Sequence, residues 1–497
     1  MKILVLVMLI LPVTVTAQLK LPPIFSGNMV LQRNAPIAVW GKAIPGDTVF
    51  VQFGKDTRKT IAGADSGWIV HFRPRPADTN GQRMHIRSGM AAIELNNLLM
   101  GDVWLCIGQS NMEWPMYREL HYRETVKDSD QPMLRFYNPT YAGKNIFAAS
   151  FSDSVVQLLH KESFYSGNWQ ESDSSSFRTM SAVAWYFGRK IGAETGVPVG
   201  LINLSIGGAP LETFIAPEAL RNSGEFTSKV NGDWMENAAL PVWVRERGKQ
   251  NVGALKHVPS DENGKFHAYK PGFAYQAGIE LILPMAVSGI INYQGESNAQ
   301  ETERVKEYAA LNRLMVQELR RKWKKRLPYY FVQLSSIDTV HYKGQLWPWF
   351  RDEQRKILRL LPNSGMAVSS DAGARNDVHP TNKKVVGERL AAWALRHHYK
   401  KNVTPSGPLA LRAKYRNGFI SISFRYAKGL HPSDGAVLKG FSTDGQLPSE
   451  AFIRNKRVVV AAPERPVYIY YGWNSFSCGN LVNDVNLPAS TFKLKVK

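Results

Sequence analysis

The sequence predicts an α/β protein whose central domain has a β-rich region on each side. Between about residues 100 and 404, short apolar runs alternate with longer helical patterns. This alternation is typical of a parallel sheet that helices cover on both faces. In residues 18–99 and 405–497, strand-like runs are separated by turn residues, which predicts a β-sandwich in each region. A chain of 497 residues is also too long for a single hydrophobic core of typical size, which predicts more than one domain.

The central domain is predicted to contain buried strands that are short and fully apolar. The strands are predicted at DVWLCI, VGLINLS, SGIINY, YYFVQL and MAVSS. Helical periodicity is clearest in SAVAWYFGRKIGAETG, which ends at a glycine, and in NKKVVGERLAAWALRHHY. Residues 221–270 are polar and irregular, which indicates either a long active-site loop or a small insertion.

The first residues have the pattern of a cleaved signal peptide. Lys2 precedes an apolar run from Ile3 to Val13, and small residues follow up to Ala17. The run is shorter than the ~20 residues that span a bilayer. We therefore predict removal of residues 1–17 and a secreted or periplasmic protein. No later segment of the mature chain is predicted to cross a membrane.

The chain is strongly basic, with a formal net charge of +21. Its one dense basic run, RRKWKKR at residues 320–326, follows a helical pattern and is interpreted as a solvated helix end. No nucleic-acid partner is predicted, whereas a basic field favours an anionic substrate. The two cysteines imply no disulfide framework. Cys106 is predicted to be a buried thiol, and a single bridge to Cys478 is the alternative.

Polar residues follow the predicted central strands where each strand ends. Ligands of such sheets bind beyond the carboxyl ends of the strands, so these segments are expected to meet. They are Gly108-Gln109-Ser110-Asn111, Ser205-Ile206-Gly207-Gly208, Gln294-Gly295-Glu296-Ser297-Asn298, and the loop SSDAGARNDVHP with Asp371, Asp377 and His379.

Together these segments contain the groups that serine acyl transfer needs. Ser110 is the predicted nucleophile, and His379 is the predicted general base and later general acid. A carboxylate would orient the imidazole. The N–H groups of Gly208 and Ser110 and the amide of Asn298 are predicted to hold the oxyanion. The structural alternative is that Ser110 caps a helix, because N-caps favour serine.

The four blocks GQSNMEWPM, GLINLSIGGAPLETF, NYQGESNA and DVHPTNK resemble the SGNH (GDSL-type) hydrolases. More specifically, they are similar to the sialate O-acetylesterase family of carbohydrate esterases. The flanking segments IFSGNMVLQRNAPIAVWGKAIPGDTV and YYGWNSFSCGNLVNDVNLPASTF resemble the N-terminal β domain and the C-terminal end of bacterial members. The resemblance implies a flavodoxin-like α/β/α catalytic domain that removes O-acetyl groups from a sugar. It places the family's functional residues on Ser110, Gly208 beside Gly207, Asn298 and His379.

The sequence departs from the family pattern at two positions. Members usually carry aspartate three residues before the histidine, where this chain has Asn376. Asp377 is the predicted acid, Asp371 is the alternative, and a backbone carbonyl is a third option. Asn292 stands where members often have tryptophan, which is predicted to alter packing or one wall of the substrate pocket.

Other residues near these blocks are predicted to contact the substrate or brace the loops. They are Gln109, Gln294 and Glu296. Arg351 is predicted either to bind a substrate carboxylate or to form a structural ion pair. No metal or cofactor is predicted, because metal-binding, P-loop and dinucleotide motifs do not occur.

The leading functional hypothesis is a secreted serine esterase that deacetylates a carbohydrate through an acetyl-serine intermediate, with O-acetylated sialic acid as the first substrate. Two alternatives stay open: an esterase of acetylxylan or another glycan, and a non-catalytic carbohydrate-binding protein on an esterase scaffold. The sugar, the acetyl position and the oligomeric state are not predicted.

Overall fold

The computed structural model describes residues 19–338, 344–435 and 437–497. The predicted signal peptide, residues 1–17, lies outside the described residues. Within the described ranges, no helix combines the length and the apolar character that crossing a bilayer requires.

The N-terminal region is built from strands, as the sequence predicts. The strands are β1 (Val30–Gln32), β2 (Ile37–Lys42), β3 (Thr48–Phe53), β4 (Asp56–Ile61), β5 (Gly67–Phe72), β6 (Asp78–Ser88) and β7 (Ala91–Gly108). Strand β7 alternates between exposed and buried side chains at its start and is fully buried from Leu98 onward. It therefore passes from a half-exposed sheet into the centre of the protein.

Strand β7 connects the N-terminal region to the central sheet. Its first half pairs antiparallel with β6, and its last residues pair parallel with two strands of the central sheet. The predicted domain boundary at residues 99/100 falls inside this strand, with no linker there. One hydrophobic core runs from the N-terminal strands into the central region. The division into domains stays a prediction.

In the described part of the central region there are ten further strands. They are β8 (Gln131–Tyr137), β9 (Thr140–Tyr141), β10 (Tyr165–Ser166), β11 (Trp169–Ser172), β12 (Val199–Asn203), β13 (Ser260–Asp261), β14 (Gly264–Lys265), β15 (Gly289–Tyr293), β16 (Tyr329–Gln333) and β17 (Ser364–Val368). The main sheet has the order β11-β8-β12-β7-β15-β16-β17 and is parallel except for β11. The stretch β12-β7-β15-β16-β17 has the flavodoxin-like order 2-1-3-4-5. All five runs predicted as buried strands are confirmed.

The helices lie in the central region. They are α1 (Ser110–Glu113), α2 (Tyr122–Thr125), α3 (Asp153–Val156), α4 (Ala182–Thr195), α5 (Pro217–Arg221), α6 (Val242–Gly248), α7 (Glu280–Ile282), α8 (Thr302–Lys322), α9 (Trp347–Leu360) and α10 (Lys384–His397). Helix α4 packs against α10, and α8 packs against α9. The Ser181 hydroxyl caps α4, which ends at Gly196 with a φ of 67° as the sequence predicts. The predicted mixed α/β class is confirmed.

The C-terminal region consists of strands with a hydrophobic core of their own. The strands are β18 (Leu409–Arg416), β19 (Phe419–Arg425), β20 (His431–Pro432), β21 (Phe441–Ser442), β22 (Ala451–Arg454), β23 (Arg457–Ala461), β24 (Tyr468–Tyr471), β25 (Leu481–Val482) and β26 (Phe492–Lys495). They form antiparallel sheets of the orders β18-β19-β23-β22, β21-β24-β26 and β20-β25. The two flanking regions are β-rich as predicted, while their arrangement as sandwiches stays a prediction.

Candidate active site

Ser110 lies where the central strand β7 ends. The strand finishes at Gly108, whose φ is 138°, and a side chain there would collide with the backbone of Tyr293 on the neighbouring strand β15. Gln109 then occupies the N-cap position, and Ser110 is the first residue of the short helix α1. The interpretation of Ser110 as a capping side chain is therefore wrong. Its hydroxyl is free to face the edge of the sheet.

The Ser110 hydroxyl contacts the imidazole of His379, which lies on the loop after β17. The distance from Ser110 Oγ to His379 Nε2 is 2.7 Å. The imidazole also stacks on the indole of Trp114, with ring centroids 5.3 Å apart. Stacking fixes the plane of the ring while Nε2 faces the hydroxyl. This is the geometry in which a histidine can remove a proton from a serine.

The environment of His379 favours the neutral imidazole. Burial lowers the pKa of His379 to about 4, and the positive charges of Lys383 and Arg118 act in the same direction. The charge of Asp377 opposes this shift. At neutral pH the imidazole is therefore unprotonated and can accept a proton.

Of the two carboxylates predicted as partners of His379, only Asp377 lies beside the imidazole. Its Oδ1 is 3.6 Å from Nδ1 of the ring and accepts the backbone N–H of His379 at 2.8 Å. The Asp377 side chain is 56% exposed. Asp371 instead forms two contacts of 2.6 Å with the guanidinium of Arg389. Asp377 thus shapes the loop directly and acts on the ring through space.

Gly208 brings a backbone N–H to the same edge of the sheet. Its φ is 74°, and a Cβ there would lie 2.4 Å from Tyr269 Oη and 2.8 Å from the Trp243 ring. Only glycine fits this position without strain. Within the described chain, the N–H groups of Gly208 and Ser110 donate to no other group. Two amide donors are therefore available at residues that line the same cavity as the Ser110 hydroxyl.

The structure does not bring the Asn298 side chain to this position. Asn298 is fully buried, and its Oδ1 accepts hydrogen bonds from Gln294 Nε2 at 2.8 Å and from the Leu211 N–H at 3.0 Å. Its Nδ2 donates to Glu212, whose other oxygen lies 2.8 Å from the buried ammonium of Lys229. Asn298 thus supports an ion pair beneath the loops, and its predicted oxyanion contact has no support in this geometry.

The glutamines beside the site brace its loops. Gln109 Oε1 accepts the N–H groups of Gly295 and Ser297 at 3.3 and 3.2 Å. Gln294 donates to Gln109 at 3.2 Å and accepts from the Tyr308 hydroxyl at 2.7 Å. Gln109 reaches the wall of the cavity beside Ser110, whereas Gln294 is buried behind it. Bracing is therefore the better interpretation of both residues.

Glu296 belongs to a buried chain of polar side chains behind His379. Asn111 donates to the Glu296 carboxylate and to the carbonyl of Val378 at 2.9 Å, and it accepts from the ammonium of Lys383. Burial raises the pKa of Glu296 to about 7 and lowers the pKa of Lys383 to about 7. The chain links the loop after β15 to the histidine loop. Lys383 is the last residue of the block DVHPTNK, and no separate role for it is predicted from the sequence.

Arg351 lies away from the cavity. It is fully buried on α9 and donates to Ser336 Oγ at 3.3 Å and to the carbonyls of Gly472 and Ser475 at 3.2 and 3.4 Å. Neither predicted role, the substrate contact or the ion pair, matches these partners. Arg351 instead joins the central region to the loop after β24.

Asn292, the second departure from the family pattern, lies inside the sheet. Its Nδ2 donates to the Tyr329 hydroxyl at 2.6 Å. Of the two predicted effects, altered packing is the one that fits. Both cysteines are free thiols, and Cys106 is buried as predicted while Cys478 is exposed.

Two adjoining cavities meet at the Ser110 hydroxyl and His379. One has a volume of about 350 Å³, and the other about 430 Å³. The first takes part of its wall from residues 221–270, through Trp243, Arg247 and Tyr269. The active-site interpretation of this polar segment therefore fits the structure. Sequence reasoning missed these three side chains, since no motif surrounds them.

Cationic side chains line both cavities. Arg247 stacks on Phe147, with its guanidinium carbon 5.5 Å from the ring centroid. Its Nε and Nη1 are buried and have no hydrogen-bond partner in the described chain. The second cavity is lined by Arg118 and Lys144, and Lys144 pairs with Glu113 at 2.8 Å. Arg247 is thus a half-buried cation on the cavity wall, and two of its guanidinium nitrogens lack a protein partner.

Across residues 19–338, 344–435 and 437–497, no group of three or more histidine, cysteine, aspartate or glutamate side chains is arranged to hold a metal ion.

The chain resembles known carbohydrate esterases in sequence and structure. The model of the family described as "Carbohydrate esterase, sialic acid-specific acetylesterase" matches residues 269–396. Sialate O-acetylesterase from Rattus norvegicus is 26% identical over 433 residues, which cover 80% of this chain and 77% of that protein. The Homo sapiens enzyme is 25% identical over 450 residues, which cover 83% and 78%.

A solved structure extends the similarity to nearly the whole chain. A carbohydrate acetylesterase from Xanthomonas citri superposes with a TM-score of 0.77 at 27% identity and covers 96% of this chain and 99% of its own. The sequence blocks, the fold and the relatives agree. The chain is therefore an ester hydrolase that is similar over most of its length to sialate O-acetylesterases, and its residues 269–396 match the sialic acid-specific acetylesterase family of carbohydrate esterases.

Proposed function

We propose that the protein is a secreted serine esterase that removes O-acetyl groups from a carbohydrate, with O-acetylated sialic acids as the leading substrates. The observation that carries the proposal is the 2.7 Å contact between Ser110 Oγ and His379 Nε2 beside two unpaired backbone N–H groups. Carbohydrate acetylesterases among the relatives support the reaction. The apolar pattern of residues 1–17 supports export.

In the first half-reaction the acetyl group moves to Ser110. Neutral His379 takes the hydroxyl proton as Ser110 Oγ attacks the acetyl carbonyl carbon. The carbonyl oxygen becomes an oxyanion, which accepts hydrogen bonds from the N–H groups of Ser110 and Gly208. The carbon–oxygen bond to the sugar then breaks, and His379 returns the proton to the sugar oxygen. The products are the free sugar hydroxyl and acetyl-Ser110.

In the second half-reaction water releases the acetyl group. His379 removes a proton from water, whose oxygen attacks the acetyl-serine carbonyl. The same two N–H groups hold the second oxyanion. As it collapses, Ser110 leaves with the proton from His379, and acetate departs. Asp377 stabilises the imidazolium that forms in each half-reaction through its negative charge 3.6 Å from Nδ1.

The position of Arg247 favours a substrate sugar that carries a carboxylate. Its buried nitrogens have no partner in the described chain, so a bound anion would replace the water contacts that the guanidinium loses. A carboxylate can accept two parallel hydrogen bonds from a guanidinium. Sialic acids carry such a group next to their hydroxyls. This favours O-acetylated sialic acids over neutral acetylated glycans as substrates.

Replacing the nucleophile is expected to abolish hydrolysis. Ser110→Ala should lower kcat by roughly 10⁴-fold or more, because no other group forms the acetyl intermediate. Acetate release is measured with O-acetylated sialic acids, acetylated xylan oligosaccharides and p-nitrophenyl acetate. Ser154→Ala changes an exposed serine and serves as the control. The proposal fails if the wild type releases acetate from none of these, or if Ser110→Ala retains turnover.

A side chain at Gly208 is expected to impair the oxyanion contact. Alanine at a positive φ costs about 1 kcal/mol of folding stability, and its Cβ would also displace Tyr269 or Trp243. Gly208→Ala should lower kcat/KM by about 10²-fold. Gly224→Ala is the matched control, because Gly224 has a φ of 70° but nothing within 4 Å of an added Cβ. Comparable losses of kcat/KM in both variants would contradict the assignment.

The pH profile is expected to report the lowered pKa of His379. Because only neutral imidazole acts as the base, kcat/KM should rise with pH through about 4 and stay level at neutral pH. Asp377→Asn removes a charge that favours the imidazolium, so this acid limb should move to lower pH. The loss in kcat should be about tenfold, since Asp377 is exposed and makes no direct hydrogen bond to the ring.

The profile is measured as kcat/KM for p-nitrophenyl acetate from about pH 3 to about pH 8. A loss near 10⁴-fold in Asp377→Asn would show that the acid has the full role it has in a catalytic triad. An unchanged acid limb would show that Asp377 does not act on the imidazole.

Arg247→Gln is expected to weaken binding of an acidic substrate. The KM for O-acetylated sialic acid should rise about tenfold, because one charged hydrogen-bond pair is lost. Hydrolysis of p-nitrophenyl acetate should not change. Arg245→Gln, on the same helix α6 but outside the cavity lining, is the control. An equal rise in KM for neutral acetylated xylan oligosaccharides would contradict carboxylate recognition.

A further inference from the structure

The four-stranded sheet of the C-terminal region has one face that the proposed reaction does not use. Alternate residues such as Ile420, Ile422, Val458 and Val460 pack into the C-terminal core. The opposite face of β18, β19, β23 and β22 faces solvent and lines a cavity of about 1090 Å³. None of its lining residues belongs to the cavities at Ser110. We call this the basic sheet face.

The strand register brings like charges together on this face. Arg454 lies directly opposite Arg457, Arg457 opposite Ser423, and Ser423 opposite Arg412. One row across the sheet therefore carries three arginines. Like charges directly opposite each other on neighbouring strands destabilise a sheet. A bound anion would relieve this repulsion.

No acidic side chain balances these charges. The cavity lining includes five cations and no aspartate or glutamate, the cations being Lys414, Arg416, Arg454, Lys456 and Arg457. Within the described chain, none of the five forms an ion pair. Their charges are therefore available to an external ligand with repeated negative groups.

Aromatic rings and hydroxyls share the face with the cations. Phe419 and Phe452 are 46% and 43% exposed, and their ring centroids lie 6.2 Å apart at 77°. Ser421 lies between Phe419 and the arginine row, and Ser423 lies within that row. Exposed apolar side chains in a shaped cavity mark a binding surface. Aromatic rings can pack against the C–H faces of sugars, and serine hydroxyls can form hydrogen bonds with sugar hydroxyls.

We infer that the basic sheet face binds an acidic polysaccharide, a chain of sugars that carry carboxylates, at a site separate from Ser110. The choice of a glycan over other polyanions rests on the proposed carbohydrate deacetylation. Carboxylates pair with the arginine row while the phenylalanines contact the sugar rings. A polymer held here keeps its acetylated parts near the enzyme.

The inference is tested by binding of the full chain to polygalacturonate, measured by isothermal titration calorimetry. Arg454→Gln/Arg457→Gln should weaken binding by about tenfold or more, because two charged contacts are lost. Phe419→Ala/Phe452→Ala should also weaken it. Lys55→Gln/Lys59→Gln makes the same change in net charge at exposed, unpaired lysines of the N-terminal region and should bind as the wild type does.

Three results would overturn the inference. They are wild-type affinity in Arg454→Gln/Arg457→Gln, an equal loss in the lysine control, and duplex DNA or anionic lipid vesicles binding as tightly as polygalacturonate. Hydrolysis of p-nitrophenyl acetate should be unchanged in all these variants. Ser110→Ala should still bind polygalacturonate, so failure of the esterase proposal and failure of this inference are distinguishable.

Discussion

The parallel pairing of β7 with β12 and β15 is the constraint on which the site depends. Backbone hydrogen bonds fix the register of these three strands, so their carboxyl ends lie side by side. Ser110 follows the middle strand, Gly208 follows β12, and the bracing loop of Gln294 follows β15. A slip of one residue in β7 would turn its buried side chains to the opposite face of the sheet. The backbone pairing of these strands therefore sets the position of Ser110 at the edge of the sheet.

Burial then sets the charge state of the groups that surround the hydroxyl. The imidazole of His379 loses solvent and gains two cationic neighbours, so it stays neutral at neutral pH. The same desolvation brings the pKa values of Glu296 and Lys383 to about 7, and Asn111 bridges the two side chains. The loop that carries His379 is thus tied to the loop after β15 by polar contacts that solvent does not weaken.

Cationic side chains are arranged differently at the cavity beside Ser110 and on the basic sheet face. At the cavity beside Ser110, Arg247 is a single half-buried cation with two unpartnered nitrogens, which suits one carboxylate of a small sugar. On the basic sheet face the cations are exposed and arranged in a row, which suits a repeating anion. A net charge of +21 does not distinguish these patterns. Only the arrangement of the cations does.

The sequence by itself determined the alternation of strands and helices in the central region and the polar residues at the strand ends. These features are local, because apolar runs and the residues that follow them can be read along the chain. The motifs also named Ser110 and His379, but these residues are 269 positions apart, so only the tertiary structure shows that they meet. Only the tertiary structure decided that Asn298 supports Glu212, that Arg351 joins the C-terminal region, and that Trp243 and Arg247 form the cavity wall. Each of these depends on contacts between segments distant in sequence, and no local pattern encodes which side chains a long loop brings to a cavity.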